Sequence, residues 1–295
     1  MKIDAVFSGG GVKAFAFLGA LEVFEKKNYQ IERVAGTSAG AILASFLAAG
    51  YTTKEIRDIF YNLDLRIFLD PPFYAKKYPP LQLLSLYFNK GLYKGERLEC
   101  WLEEKLRAKG IVTFRDLKHR ELKVVASDVT KGRMVVIPDD LERLYQVPPE
   151  HFKVAKAIRM SAGFPYFFMP TKLKNKERKI SYLVDGGLLS NFPLWLFNKP
   201  HRTTRPVIGI TLSESLSQEK EEHIRNGVDL LQAIFKTMLK AHDTRYISKD
   251  KSKNIVFIPV KDVRTVDFNL DDDEKNRLIQ LGRERTEAFL KTWIF

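Results

Sequence analysis

The sequence predicts an α/β fold in which a largely parallel β-sheet is covered by helices on both faces. Short apolar or β-branched runs alternate with helical patterns almost throughout the 295 residues, and this alternation is typical of parallel sheets. Glycine-rich turns follow the first two strand candidates and lead directly into helices. No internal repeat and no linker rich in Gly or Ser divides the chain, so we expect one domain over residues 1–295.

Short apolar runs define the strands. In chain order they predict strands over Ile3–Phe7, Ile31–Ala35, Leu122–Ala126, Met134–Ile137, Ile180–Val184, Pro206–Leu212 and Asn254–Val260. Because the alternation continues to the end of the chain, we expect residues 201–295 to complete the sheet and its outer helices.

Apolar residues at helical spacing define the helices. They predict helices over Ala14–Lys26, from about Ser38 onward, and over Gly95–Lys109, Phe152–Ser161, Glu219–Ile247 and Asp271–Thr292. The last helix opens with the acidic run Asp271-Asp272-Asp273-Glu274, and negative side chains at this end stabilise a helix through its dipole.

Composition narrows the class of protein. A content of 45% hydrophobic and 29% charged residues excludes a disordered chain. The single cysteine, Cys100, excludes an intrachain disulfide framework and a cysteine-clustered zinc site. Asp4 interrupts the first apolar run, so we expect no signal peptide and a cytoplasmic protein. The uncharged stretch Val34–Thr53 is long enough to cross a bilayer, but its small residues favour a buried helix.

The net charge has two interpretations, simple solubility or an anionic partner. The 49 Lys and Arg residues exceed the 36 Asp and Glu residues by 13 (49 − 36). These basic residues are spread along the chain without a nucleic-acid-binding motif, so we expect peripheral contact with an anionic membrane and no nucleic acid. Two segments could make that contact: Phe60–Tyr93, with nine aromatic residues, and Lys153–Lys179, whose eight basic residues bracket the apolar run Phe164–Pro170. A packed insertion or an ordinary solvated loop is the alternative for each.

A candidate nucleophile lies in the turn after the second strand. Residues 36–40 have the G-x-S-x-G form of a nucleophile elbow, with Ser38 at its centre. Small residues at Gly36 and Gly40 let the strand and the following helix approach each other closely. The predicted strand before Ser38 and helix after it supply the context that this motif requires.

A glycine-rich turn after the first strand is a candidate anion site. Gly9, Gly10 and Gly11 leave backbone amides free to point at an anion, and the following helix adds positive potential. The dinucleotide-binding fingerprint fails because Ala14 occupies its last glycine position, and no Walker pattern is present. An oxyanion hole needs the same geometry.

Two candidates for the general base follow from the sequence, an aspartate and a histidine. Asp185 follows a strand candidate and precedes two glycines, which suits either a turn residue or a carboxylate that reaches the Ser38 hydroxyl. None of the histidines lies in a glycine-flanked turn: His119, His151, His201, His223 and His242. A Ser–Asp–His triad stays open as an alternative, because three histidines follow Asp185 in the order used by ordinary α/β-hydrolases.

Taken together, these motifs resemble the patatin-like phospholipases over roughly residues 4–200. The resemblance rests on Gly9-Gly10-Gly11-Val12-Lys13, Gly36-Thr37-Ser38-Ala39-Gly40 and Asp185-Gly186-Gly187, in this order. Weaker matches are Gly19, Tyr93-Lys94-Gly95, Ser127-Asp128-Val129 and Ser161-Ala162-Gly163-Phe164-Pro165. One departure is Ala14, where the family usually has glycine.

The resemblance implies a three-layer α/β/α sandwich and a lipid acyl hydrolase of phospholipase A type. Ser38 would be the nucleophile and Asp185 the base, with no metal or organic cofactor. The oxyanion hole would comprise Gly9, Gly10 and Gly11, with Lys13 at the family's basic position. The substrate would be a phospholipid or another acyl ester. A basic membrane-surface protein that keeps the fold but has little activity is a further alternative, and the oligomeric state is not determined by the sequence.

Overall fold

The computed structural model describes residues 1–77, 82–118, 120–197, 205–213, 230, 233–234, 237, 253–260, 263 and 265–293. Its strands are β1 (Lys2–Phe7), β2 (Gln30–Thr37), β3 (Gly91–Tyr93), β4 (Glu121–Asp128), β5 (Arg133–Ile137), β6 (Tyr166–Phe168), β7 (Thr171–Lys174), β8 (Ile180–Asp185), β9 (Val207–Thr211) and β10 (Ile255–Phe257). Its helices are α1 (Phe15–Lys26), α2 (Ala39–Ala48), α3 (Thr53–Tyr61), α4 (Phe73–Lys77), α5 (Gln82–Phe88), α6 (Glu96–Ala108), α7 (Leu141–Tyr145), α8 (Val154–Ser161) and α9 (Asp272–Thr292). The predicted helix Glu219–Ile247 lies almost entirely outside the described residues.

The main sheet is parallel at its centre and antiparallel at one side. Across the described residues its order is β10-β9-β1-β2-β4-β8-β7, and β5 also pairs with β4. The strands from β10 to β4 run parallel, whereas β5, β7 and β8 pair antiparallel. One face of the sheet packs against α1, α2 and α8, and α6 packs on α8. The other face, through Val6 and Ala35, packs against Phe192 and Phe197. The predicted three-layer α/β/α fold is confirmed.

The C-terminal helix packs backbone to backbone on the first helix. A side chain at Gly19 in α1 would lie 1.9 Å from the Ile279 carbonyl oxygen, and one at Gly282 in α9 would lie 1.9 Å from the Ala16 carbonyl oxygen. Glycine at both crossing points therefore allows a close approach that any side chain would prevent. Asp271 begins α9 as predicted, because its carboxylate accepts a hydrogen bond from the Glu274 amide at 2.8 Å.

Two long segments that stand out in the sequence, Val34–Thr53 and Phe60–Tyr93, each contain parts with different structures. The stretch Val34–Thr53 is divided between the end of β2, a tight turn and the ten-residue α2, which is buried as expected. Among the described residues, no helix combines the length and the apolar character needed to cross a bilayer. Within Phe60–Tyr93, Phe60 and Phe68 belong to the core, while much of α4 and α5 faces outward.

Three short strands were absent from the predicted set. β3 and β6 pair with each other in a separate two-stranded sheet, and β7 forms a hairpin with β8. Strands of three or four residues contain too few positions for an alternating pattern to be visible. The basic segment Lys153–Lys179 is consequently not one solvated loop, since it contains α8, β6 and β7.

Candidate active site

Ser38 occupies a strained turn between β2 and α2. Its backbone has φ 55° and ψ −125°, a left-handed conformation that non-glycine residues rarely adopt. A side chain at Gly36 would lie 2.4 Å from the Gly40 backbone, and one at Gly40 would lie 2.5 Å from the Phe7 and Ser8 carbonyl oxygens. The two glycines thus allow the sharp turn that exposes Ser38, as the G-x-S-x-G spacing predicts.

The sheet register brings Asp185 to Ser38. Val125 of β4 pairs with Thr37 at the end of β2, and the next residue, Ala126, pairs with Asp185 at the end of β8. β5 occupies the opposite edge of β4. β2 and β8 therefore lie on the same edge and meet end to end, because β8 runs antiparallel to β4. This meeting point places the Asp185 carboxyl beside the Ser38 hydroxyl.

The Asp185 carboxyl is almost completely buried, and this burial dominates its pKa. The residue is 2% exposed. Its Oδ1 atom accepts a hydrogen bond from the Gly187 amide at 2.8 Å. Burial raises the pKa of Asp185 to about 7, although hydrogen bonding to Ser38 and Gly187 opposes this by favouring the carboxylate. Oδ2 is buried and has no hydrogen-bond partner among the described residues.

The end of α8 holds both members of this pair. The Ser38 amide donates to Ser161 Oγ at 3.0 Å, and the Ser161 hydroxyl donates to the Val125 carbonyl oxygen at 2.6 Å. Two residues later, the Gly163 carbonyl accepts a hydrogen bond from the Asp185 amide at 2.9 Å. Ser161 is fully buried. The sequence assigns Ser161 no role, because nothing local indicates which distant strand it contacts.

The glycine-rich turn after β1 lies beside Ser38. A side chain at Gly9 would lie 3.2 Å from the Ser38 Cβ. The Gly9 amide donates to the Asn191 carbonyl oxygen at 3.0 Å, so it supports the turn. The amides of Gly10 and Gly11 donate to no other described residue. Of the three predicted oxyanion-hole amides, those of Gly10 and Gly11 are therefore available to donate hydrogen bonds to an oxyanion.

Two neighbours of this turn have structural roles. Lys13 Nζ donates to the Val260 carbonyl oxygen at 3.2 Å, which ties the turn to the C-terminal part of the chain. Ala14 adopts a right-handed helical conformation, with φ −60° and ψ −13°, where glycine has no conformational advantage. The departure from the family's usual glycine therefore leaves the start of α1 intact.

An apolar cavity of about 100 Å³ opens beside Ser38. Aromatic and aliphatic side chains dominate its walls, including Phe60, Phe68, Phe164, Phe167, Phe168 and Phe268. Its volume is several times the roughly 10–15 Å³ that one water needs, and its lining favours a hydrocarbon chain. The apolar run Phe164–Pro170, predicted to touch lipid, contributes Phe164, Phe167 and Phe168 to this cavity.

The histidines leave the triad alternative untested. His151 lies on the surface next to Glu150 and does not line the cavity. The other four, His119, His201, His223 and His242, lie outside the described residues.

Comparison with known proteins shows the family to which this chain belongs. A family profile for patatin-like phospholipases matches residues 5–198. The uncharacterized protein YqhO of Bacillus subtilis is 49% identical over the whole of both chains. The cUMP-AMP-activated phospholipase of Escherichia coli is 24% identical over 94% of this chain and 88% of its own length. VipD from Legionella pneumophila shares the fold, with a TM-score of 0.59 and 18% identity over 99% of this chain and 67% of VipD. This chain therefore belongs to the patatin-like phospholipase family.

Proposed function

We propose that this protein is a lipid acyl hydrolase of phospholipase A type that acts through a Ser38–Asp185 dyad. One observation carries the proposal: a strained serine and a buried carboxyl meet end to end beside an apolar cavity. Family membership and relatives with lipid-hydrolase names, such as the E. coli phospholipase, support the same class of substrate.

The geometry suits a two-step acyl transfer. In the first step Ser38 Oγ attacks the ester carbonyl carbon while the Asp185 carboxylate accepts the hydroxyl proton. The Gly10 and Gly11 amides donate to the developing oxyanion, and the alcohol leaves with the proton from Asp185. In the second step Asp185 removes a proton from water, whose oxygen attacks the acyl–Ser38 ester. Asp185 then returns this proton to the departing Ser38 Oγ, so the fatty acid is released and both groups regain their starting forms. The apolar cavity would hold the acyl chain throughout.

A serine-reactive fluorophosphonate tests the nucleophile, and product analysis tests the substrate. We expect covalent labelling at Ser38, located by peptide mass spectrometry, and release of fatty acid from mixed phospholipid vesicles. Prior incubation with a slowly turned-over ester should reduce labelling. If the active-site probe modifies no residue and no ester is hydrolysed, the proposed activity is wrong.

Activity should depend on pH through Asp185. The carboxylate is the active form, and its pKa is about 7. The kcat/KM for a soluble ester should therefore rise with pH, level off above about pH 7, and fall about tenfold per unit below it. The measurement is a pH–rate profile, with circular dichroism at each pH to exclude unfolding. A profile that stays level from pH 8 down to about pH 5 would contradict Asp185 as the base.

Ser161 should act as a positioning residue for the nucleophile. Ser161→Ala leaves the Ser38 amide and the Val125 carbonyl without their shared partner. An unsatisfied buried group costs about 1–3 kcal/mol, which favours a shift of the Ser38 backbone away from its position in the site. We therefore expect kcat to fall about tenfold while KM changes little. Ser161→Thr keeps the hydroxyl and should retain more activity than the alanine variant.

Ser45→Ala is a matched control, because Ser45 is also fully buried and donates to a backbone carbonyl, that of Ile42, at 2.7 Å. The control should lower thermal stability without lowering kcat. Equal losses of kcat in both alanine variants would show that Ser161 matters only for folding.

A further inference from the structure

We propose that the exposed apolar face of α5 and the outer face of the β7–β8 hairpin form one docking surface for an anionic lipid bilayer. This inference rests on the proposed function, since a phospholipid substrate lies in such a surface. The two parts come from segments more than 80 residues apart in the chain.

The apolar part lies on one side of α5. Leu84, Tyr87 and Phe88 have helical i, i+3, i+4 spacing, so they share a face. Tyr87 is 82% exposed and Phe88 67% exposed, and their rings contact each other edge to face at 5.1 Å. Phe73 in α4 is 79% exposed. Large aromatic side chains at this exposure are unusual on a protein surface that meets only water.

This apolar part is held in place by two polar contacts, one exposed and one buried. Asn89 Nδ2 donates to the Tyr74 hydroxyl at 2.6 Å and so ties the end of α5 to α4. The buried Ser85 hydroxyl donates to the Gly91 carbonyl oxygen at 2.6 Å. The aromatic side chains therefore project from a fixed support.

The basic part lies on one face of the hairpin. Lys172 pairs with Tyr182 and Lys174 with Ile180, so these four side chains share a face, while Leu173 points into the core. The connecting loop adds Lys176, Arg178 and Lys179 against one acid, Glu177, which pairs with Lys179. Among the described residues, no acidic side chain lies within ion-pair distance of Lys172, Lys174, Lys176 or Arg178.

The two parts meet at Tyr182. Lys90, just after α5, places its Nζ 5.3 Å from the centre of the Tyr182 ring, and Lys172 Nζ lies 6.0 Å from the same centre. Lys90 thus joins the lysines of the hairpin. Exposed aromatics beside uncompensated lysines match the two components of an anionic bilayer, its acyl region and its headgroups.

The surface also adjoins the cavity beside Ser38. β3 directly follows α5 and pairs with β6, where Gly91 lies opposite Tyr166 and Tyr93 opposite Phe168. Phe167 and Phe168 line the cavity. A bilayer seated on this surface would therefore present acyl chains next to a wall of the cavity.

Vesicle flotation of the full chain tests the surface. We expect tighter binding to equimolar phosphatidylglycerol–phosphatidylcholine vesicles than to phosphatidylcholine alone, with the difference removed by high salt. Lys172→Glu with Lys174→Glu should weaken binding to the anionic vesicles by about tenfold or more, since each basic residue contributes about fivefold. Tyr87→Ser with Phe88→Ser should weaken binding to both vesicle types.

The matched charge control is Lys26→Glu with Lys27→Glu, at the end of α1 near the opposite end of the sheet, which should bind almost normally. All three variants should hydrolyse a short soluble ester as the unchanged protein does. The docking surface would be overturned by equal binding to neutral and anionic vesicles. It would also be overturned if the control lost as much vesicle binding as Lys172→Glu with Lys174→Glu. In either case hydrolysis of the soluble ester would still support the proposed enzyme. A dimer that is lost with Tyr87→Ser and Phe88→Ser would assign the surface to a second copy instead. Vesicle binding without any ester hydrolysis would instead refute the proposed function.

Discussion

Replacing Ser38 by alanine or Asp185 by asparagine should each lower ester hydrolysis by on the order of 10³-fold or more. Ser38 is the group that would form the acyl ester, and Asp185 is the group that would remove its proton. Because the two act as one unit, the double variant should be little worse than either single variant. The measurement is kcat/KM for a soluble ester, which is independent of membrane docking.

Loss of activity in Asp185→Asn should not be caused by unfolding. The pKa of Asp185 in the folded chain, about 7, lies above its ordinary value near 4. The folded state therefore binds the proton more tightly than the unfolded state, and its free energy of unfolding falls as the pH rises through this range. At pH 8 the asparagine variant lacks the buried charge and should be at least as stable as the unchanged protein.

The histidines provide the opposing outcome. If His201→Ala, His223→Ala or His242→Ala abolishes hydrolysis while Asp185→Asn stays active, the site is a Ser–Asp–His triad. The described part of the chain favours the dyad, because Asp185 and Ser38 are brought together by the sheet alone.

Local signals were enough to predict most of the fold. β1, β2 and β4 each have a run of apolar residues, and α9 begins at the acidic residues that suited its start. Glycine spacing was equally informative for the elbow, because Gly36 is required by its contact with the Gly40 backbone within the turn itself. These features depend on neighbours in sequence, which a single chain reveals.

Features that depend on distant pairing could not be predicted from the residues alone. The position of Asp185 follows from β8 joining the same edge of β4 as β2, and no local pattern encodes that choice of edge. The raised pKa of Asp185 follows from burial by elements far apart in the chain. Likewise, Ser161 contacts Ser38 across 123 residues, and Asn191 holds Gly9 across 182 (191 − 9).

Charge and aromatic content identified unusual segments of the chain but not the positions of individual side chains. The sequence identified Phe60–Tyr93 and Lys153–Lys179 as unusual but did not show which residues face outward. Arg159 illustrates the difference: it belongs to the basic segment, yet it is buried and donates to the Gly95, Lys94 and Met169 carbonyls. Desolvation on burial lowers the pKa of Arg159 to about 10. Its role is to hold β3 and β6 together rather than to meet a membrane.

The oxyanion hole should be most sensitive at Gly11. Its φ is 56°, and a side chain there would lie 2.0 Å from the Thr265 carbonyl oxygen, which accepts a hydrogen bond from the Val12 amide at 3.1 Å. Gly11→Ala must therefore move the backbone that aims the Gly10 and Gly11 amides. Loss of one such donor costs about 10²-fold or more in kcat, so we expect kcat and kcat/KM to fall together by about 10²-fold.

Variants at two other glycines distinguish the loss of oxyanion stabilisation in Gly11→Ala from the cost of backbone strain. Gly50 also has a positive φ, 86°, but a side chain there would meet nothing within 4 Å, so Gly50→Ala should carry the conformational cost and keep kcat. Gly10→Ala should lose less than Gly11→Ala, because its side chain would press mainly on the movable end of Leu212. Circular dichroism and thermal denaturation should show all three variants folded. If Gly11→Ala unfolds the protein, or if Gly50→Ala loses as much kcat, the turn after β1 is a structural element and the oxyanion must be stabilised elsewhere.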